Sequence, residues 1–259
     1  AWRKGRLKTI KRVIDKMIVL FPFEEKIYKQ ANVDVSWVGH PQLDKILNKS
    51  DCKVFMKQFG LKIDKPLFVI APGSRPNEIR RHLPTLIKTL PHIMKVTGEI
   101  QCILPIEDSI DLKEVRSMIE TSTVPIKLIK NKFIESIQAC DVAIVASGTA
   151  SLQTGIALKP FIIVYQVSPL TFKIARLLSH TKYIGMVNIL AGKEIVPELI
   201  QNNFNINNVA NKVIRILQDK DYRAKMISDL KITRKKLGTP GAYRRAARCI
   251  EDFLGKNIS

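Results

Sequence analysis

A chain of 259 residues has room for one large or two modest domains, and its hydrophobic content of 46% is enough to bury a core, so the chain is globular. A formal net charge of +20 implies attraction to something acidic, with nucleic acid, anionic lipid surfaces and phosphorylated small molecules all open. Cys52, Cys102, Cys140 and Cys249 lie far apart with no CxxC pair, which argues against a zinc site or a disulfide framework, and no apolar run approaches the roughly 18 residues needed to span a bilayer.

The first stretch, AWRKGRLKTIKRVIDK, is basic, with Asp15 its single acid, and Ile10, Val13, Ile14, Met17 and Ile18 recur at near-helical spacing. It has no initiator Met, no signal-like hydrophobic region and no complete folding unit before the first strand, so the expectation is a chain missing its front. Met17 to Phe21 reads as a strand, and Phe21-Pro22-Phe23-Glu24 as a turn into a short helix. Val33 to Val38 is a strand that ends at Gly39-His40-Pro41, where His40 reads as a turn-stabilising residue. Ser50 to Phe59 suits a capped helix stopped by Gly60.

Leu67 to Ile70 reads as a buried strand ending in Ala71-Pro72-Gly73-Ser74-Arg75. Glu78 to Val96 follows as an amphipathic helix in which Pro84 and Pro91 predict a kink or an early break. Further strand–helix pairs are expected at Ile100–Leu104 with Leu112–Ile119, and at Ile126–Ile129 with Phe133–Ala139. Val142 to Val145 then runs into Ser147-Gly148-Thr149, a helix and a second β-branched strand at Phe161–Tyr165. A turn of this kind leaves backbone N–H groups aimed at an anion, although an SGT turn also serves as a plain helix cap. Strands alternating with helices predict an α/β fold with a parallel, Rossmann-like sheet, whose two glycine turns can face one crevice.

After Tyr165 the pattern becomes helical. Pro169–Ser179 is amphipathic with Lys173 and Arg176 outward, Asn188–Gly192 is a compact turn, and Val196–Gln201 and Val209–Leu217 are short helices. A basic helix at Asp221–Lys236, a breaker at Gly238–Gly241 and a final helix at Ala242–Leu254 complete the chain.

Several stretches together resemble one family. They are AWRKGR (1–6), FPFE (21–24), WVGHP (37–41), PGSR (72–75), ASGTASL (146–152), SPLTF (168–172), and NILAG with VPEL (188–199). In order and spacing they are similar to the lipid-A-disaccharide synthases, inverting glycosyltransferases of the two-domain GT-B type. The resemblance implies a C-terminal donor-binding domain plus C-terminal helices. Residues 1–32 would be the end of the N-terminal acceptor domain, 33–237 the nucleotide-sugar-binding domain and 238–259 a crossover helix. The reaction it implies condenses UDP-2,3-diacylglucosamine with 2,3-diacylglucosamine 1-phosphate, giving the β-1′,6-linked disaccharide and UDP.

The resemblance implies a UDP site formed by Arg75, Ser147, Gly148, Thr149, Gln153 and Asn188, with no cofactor and no metal. The catalytic residue is expected in the N-terminal domain. It implies a cytoplasmic protein resting on the inner leaflet of the inner membrane, with no nucleic-acid partner, and leaves a homo-oligomer open. Gln153 stands where the family carries an acid on the ribose hydroxyls, and Gln166 where it carries a basic residue. The alternative expectation is an inactive remnant that folds and binds UDP weakly without turnover.

Overall fold

The computed structural model describes residues 4–48, 50–169, 171–172 and 181–258. The chain forms two compact units, one of residues 1–48 with 232–259 and the other of residues 49–231.

The first unit opens with α1 (Lys4–Val13), β1 (Met17–Val19), α2 (Pro22–Gln30), β2 (Val35–Trp37) and α3 (Gln42–Leu47). Strands β1 and β2 pair in parallel, Met17 opposite Val35 and Val19 opposite Trp37. Their apolar side chains meet Tyr28 and Val33 in a small core on which Leu7 and Ile10 pack. Entry into α2 follows from the local sequence. Pro22 supplies a preset φ in the first turn, and the Glu24 carboxylate reaches back to accept the N–H groups of Leu20 (3.2 Å) and Phe21 (3.1 Å). His40 is buried and accepts the Gln42 N–H at Nδ1 (3.2 Å), and burial pushes its pKa below the ordinary imidazole value. Gly39, at φ +80°, lies against the Arg245 side chain of the C-terminal helix Ala242–Ile258. That guanidinium donates to the carbonyls of Val38 (2.8 Å), Thr239 (2.6 Å) and Pro240 (2.9 Å). Asp44 caps the same helix by accepting the N–H groups of Gly241 (2.5 Å) and Ala242 (3.3 Å).

The second unit contains α4 (Cys52–Gln58), β3 (Leu67–Ala71), α5 (Pro76–Thr97), β4 (Gln101–Ile106), α6 (Leu112–Ile119), β5 (Ile126–Lys130), α7 (Phe133–Ala139), β6 (Val142–Ala146), α8 (Thr149–Ile156) and β7 (Phe161–Tyr165). It continues through α9 (Met186–Ala191), β8 (Glu198–Ile200) and α10 (Ile206–Gln218) into α11 (Lys220–Lys235), within which the boundary at residue 231 falls. The six strands form one parallel sheet in the order β5-β4-β3-β6-β7-β8. Every residue of β3 and β6 is buried, as a central strand covered on both faces requires.

Three expectations change. Pro84 and Pro91 do not break α5, which runs for 22 residues. Each proline costs one intrahelical bond, but Ile79, Leu83, Leu86, Ile87, Leu90 and Ile93 are buried along the helix and hold it against α10. The stretch from Asn188 lies in helix α9, closed by Gly192 in the left-handed region. Val196–Gln201 is not a helix. Glu198–Ile200 adds a strand to the open edge of β7, Leu199 opposite Val164, and a 3₁₀ turn at Gln201–Asn203 follows. The expected helix at Pro169–Ser179, with Lys173 and Arg176, lies almost wholly outside the described residues.

All four thiols are free, but Cys102 and Cys140 are buried in and beside the sheet, and burial pushes Cys140 up to about 12. A thiol so disfavoured as thiolate is a poor nucleophile. The native protein is therefore expected to react with Ellman's reagent at no more than two thiols, Cys52 and Cys249, and at all four after denaturation in guanidinium.

Candidate functional site

The strand order reverses between β3 and β6. From β3 the chain moves outward to β4 and β5, then returns to lay β6 on the other side of β3. At such a point consecutive connections diverge and leave a crevice at the carboxyl ends of the strands. Ala71 lies opposite Val145, so the turns that follow β3 and β6 leave the same edge of the sheet from neighbouring strands.

The first turn is Pro72-Gly73-Ser74-Arg75. Gly73 sits at φ +147°, and a Cβ there would collide with the Glu78 side chain, so both conformation and space demand glycine. Glu78 accepts the Ser74 N–H (3.0 Å) on one oxygen and Arg75 Nη1 (3.2 Å) on the other. The Arg75 side chain is nonetheless 77% exposed, and one bond leaves most of its fork of donors available.

The second turn is Ser147-Gly148-Thr149. Gly148 also has φ +147°, but nothing lies near the position of a Cβ, so here glycine is required for backbone conformation alone. Gly148 and Thr149 are exposed and open α8, whose first N–H groups have no intrahelical acceptor. Ser147 differs. Its N–H donates to the Val164 carbonyl (3.1 Å) and its hydroxyl to the Ile184 carbonyl (3.2 Å), so both its donors are committed. Gln153 is half-buried one helical turn further along α8.

Asn188 is fully buried in α9. Its Nδ2 donates to the Val196 carbonyl and to Glu198 Oε1, both at 2.8 Å, and its Oδ1 accepts the N–H groups of Ile195 (2.8 Å) and Val196 (3.1 Å). That is the full capacity of an amide. The structure thus brings Arg75 and the Ser147–Thr149 turn to one edge, while Asn188 orders the segment that follows.

Two residues to which the sequence assigned no role join these parts. His82, fully buried on α5, has Nδ1 2.5 Å from the Pro72 carbonyl, and its Nε2 accepts the Gln166 N–H (2.9 Å). Nε2 also stands 3.1 Å from the Gln166 carbonyl, so the ring is held at both nitrogens by backbone groups. The ring also packs edge-on against Phe204, with centroids 5.6 Å apart. Glu198 accepts the N–H groups of Ile184 and Gly185, both at 2.9 Å, besides the Asn188 amide. Glu198 stands within the VPEL stretch that the sequence offered, but no role for it was read there.

The parallel sheet, with its strand order reversing between β3 and β6, is a Rossmann-like fold of the GT-B type. Solved structures with this fold include MnaA of S. aureus in a UDP co-structure, 14% identical with a TM-score of 0.64 over 96% of this chain and 63% of that one. Another is Anabaena HepE in complex with UDP-glucose, 13% identical with a TM-score of 0.55 over 97% of this chain and 68% of that one.

The family model described as lipid-A-disaccharide synthetase matches residues 1–253, and the chain belongs to that family. The lipid-A-disaccharide synthase of Syntrophus aciditrophicus is 40% identical over 95% of this chain and 65% of its own length. The chain spans about two thirds of the length of the curated relatives it matches.

His82 ties the first glycine turn to the end of β7. His82→Phe keeps the ring packing and strips both hydrogen bonds, leaving the Pro72 carbonyl and the Gln166 N–H buried without partners. Such groups cost about 1–3 kcal/mol each. A loss of about 2–4 kcal/mol is expected by urea denaturation, against no significant loss if the bonds are dispensable.

Proposed function

We propose that this chain carries the donor half of a lipid-A-disaccharide synthase, binding the UDP part of UDP-2,3-diacylglucosamine while the sugar passes to 2,3-diacylglucosamine 1-phosphate with inversion. The observation that carries the reading is the pair of glycine turns at the reversal of strand order, one presenting an exposed arginine and the other an exposed helix N-terminus. Family membership and the UDP-bound neighbours support it.

In this reading the Arg75 guanidinium forms paired hydrogen bonds to the diphosphate, and the N–H groups of Gly148 and Thr149 with the Thr149 hydroxyl bind its other oxygens. These donors are fixed before the bond to the sugar breaks, so they stabilise charge as it develops on the departing UDP without reorganising. The charge is met by protein donors rather than by a metal. Ser147 acts through its backbone and Asn188 through the segment it orders. Gln153 would hold the ribose hydroxyls, giving up a charge-assisted bond that an acid would make there, a difference of about 1 kcal/mol.

The acceptor site and the catalytic base are assigned to the third of the relatives' length that this chain does not span, so the chain alone should bind UDP without transferring sugar. The net charge of +20 suits anionic amphiphiles held in an anionic leaflet, where each basic residue near the surface contributes about 1 kcal/mol. No described helix is long and apolar enough to cross a membrane.

Titration calorimetry with UDP tests the site directly. Arg75→Ala is expected to weaken binding at least tenfold, and an unchanged affinity would remove Arg75 from the site. Gln153→Glu is expected to tighten UDP about fivefold, the equivalent of about 1 kcal/mol, and to have no effect on inorganic pyrophosphate, which lacks the ribose.

A further inference from the structure

Glu198 has no cation bound to it among the described residues. Its three recorded partners are the N–H groups of Ile184 and Gly185 and the Asn188 amide, all within 2.9 Å. The carboxylate therefore closes the N-terminal end of α9 from the neighbouring strand β8, and its charge is spread over backbone dipoles.

The segment it holds meets the second glycine turn at one point and helix α8 at another. The carbonyl of Ile184, whose N–H is bound to Glu198, accepts the Ser147 hydroxyl. Val187 lies so close to Gly155 that a Cβ there would strike it, which locks α9 to α8. Gly185, between these contacts, is buried with no room for a side chain against Ile163 and Glu198. A tilt of the 184–188 segment thus has nowhere to go without moving Ser147 or α8.

We propose that Glu198 is a positioning residue for the phosphate-binding turn Ser147–Thr149, setting its geometry through Ile184 without touching the ligand. The proposal rests on the donor-site reading for its effect on UDP, but the coupling itself is a property of the free protein. By fixing the Ile184 carbonyl, Glu198 holds the Ser147 hydroxyl away from the crevice and leaves the anion to the N–H groups of Gly148 and Thr149. A preset turn of this kind lowers the ordering cost of binding.

The test compares wild type, Glu198→Ala and Glu198→Gln at a temperature where all are folded, by UDP calorimetry and by amide NMR without ligand. Glu198→Ala is expected to bind UDP about tenfold more weakly and to shift the Gly148 and Thr149 amide signals. Glu198→Gln, which keeps one acceptor oxygen but faces Ile184 with a donor, should fall between. If Ala fails to fold, the isosteric Gln variant decides alone. Lower thermal stability with unchanged UDP affinity and unchanged Gly148 and Thr149 signals would reduce Glu198 to a purely structural role and overturn the proposal. If wild type binds no UDP, the donor-site reading fails, while the amide signals still decide whether Glu198 sets the turn.

Discussion

Two neighbouring strands of a parallel sheet end at the same edge, and when the chain has gone outward on one side and returned on the other, the loops that follow them part. That constraint, met at β3 and β6, organises the second unit. It places Arg75 and Gly148 beside one opening although 72 residues separate them, counting from 75 to 148 without either end. Both turns use the same backbone device, a glycine at φ +147°, for different reasons: one is packed against Glu78 and the other stands in open space. The sheet supplies the opening and the glycines supply the direction in which each chain leaves it.

Around that opening, fixed geometry comes from neutral or internally satisfied polar groups more than from ion pairs. His82, Asn188 and Glu198 each receive or give hydrogen bonds to backbone groups of loops that no helix or strand would otherwise hold. Buried polar groups with all their partners present are rigid because any displacement leaves a donor or acceptor unpaired at once. The ion pairs of this chain are largely exposed, as with Lys29 and Glu25 along α2, and such pairs contribute little to stability.

The strands and helices of the sheet were legible because each apolar run is bounded by its own turn chemistry. Leu112–Ile119, Phe133–Ala139 and Phe161–Tyr165 appear with the expected bounds. What was not legible depends on partners far away in the sequence. Glu198–Ile200 has three residues and carries no periodicity of its own; only the free edge of β7 makes it a strand. The persistence of α5 through two prolines depends on its buried face. At the candidate site the glycine turns and Arg75 were readable from local signals. The commitment of the Ser147 donors and the internal satisfaction of Asn188 were not, since both depend on residues brought in by the fold. His82 and Glu198 escaped for the same reason.

Asp44 closes on the Gly241 N–H across 197 positions, and Arg245 on the Val38 carbonyl across 207. The first unit is therefore discontinuous, made from the two ends of the sequence with the whole second unit between them. During synthesis β1 and β2 can pair with each other early, whereas Asp44 and the Val38 carbonyl emerge long before Gly241 and Arg245, the groups that bind them. Domains generally fold as they become available, so the sheet is free to form before the helix Ala242–Ile258 arrives to complete the first unit. The entropic cost of closing so long a connection grows only slowly with its length, so a discontinuous unit of this kind is within reach of a few well-placed hydrogen bonds.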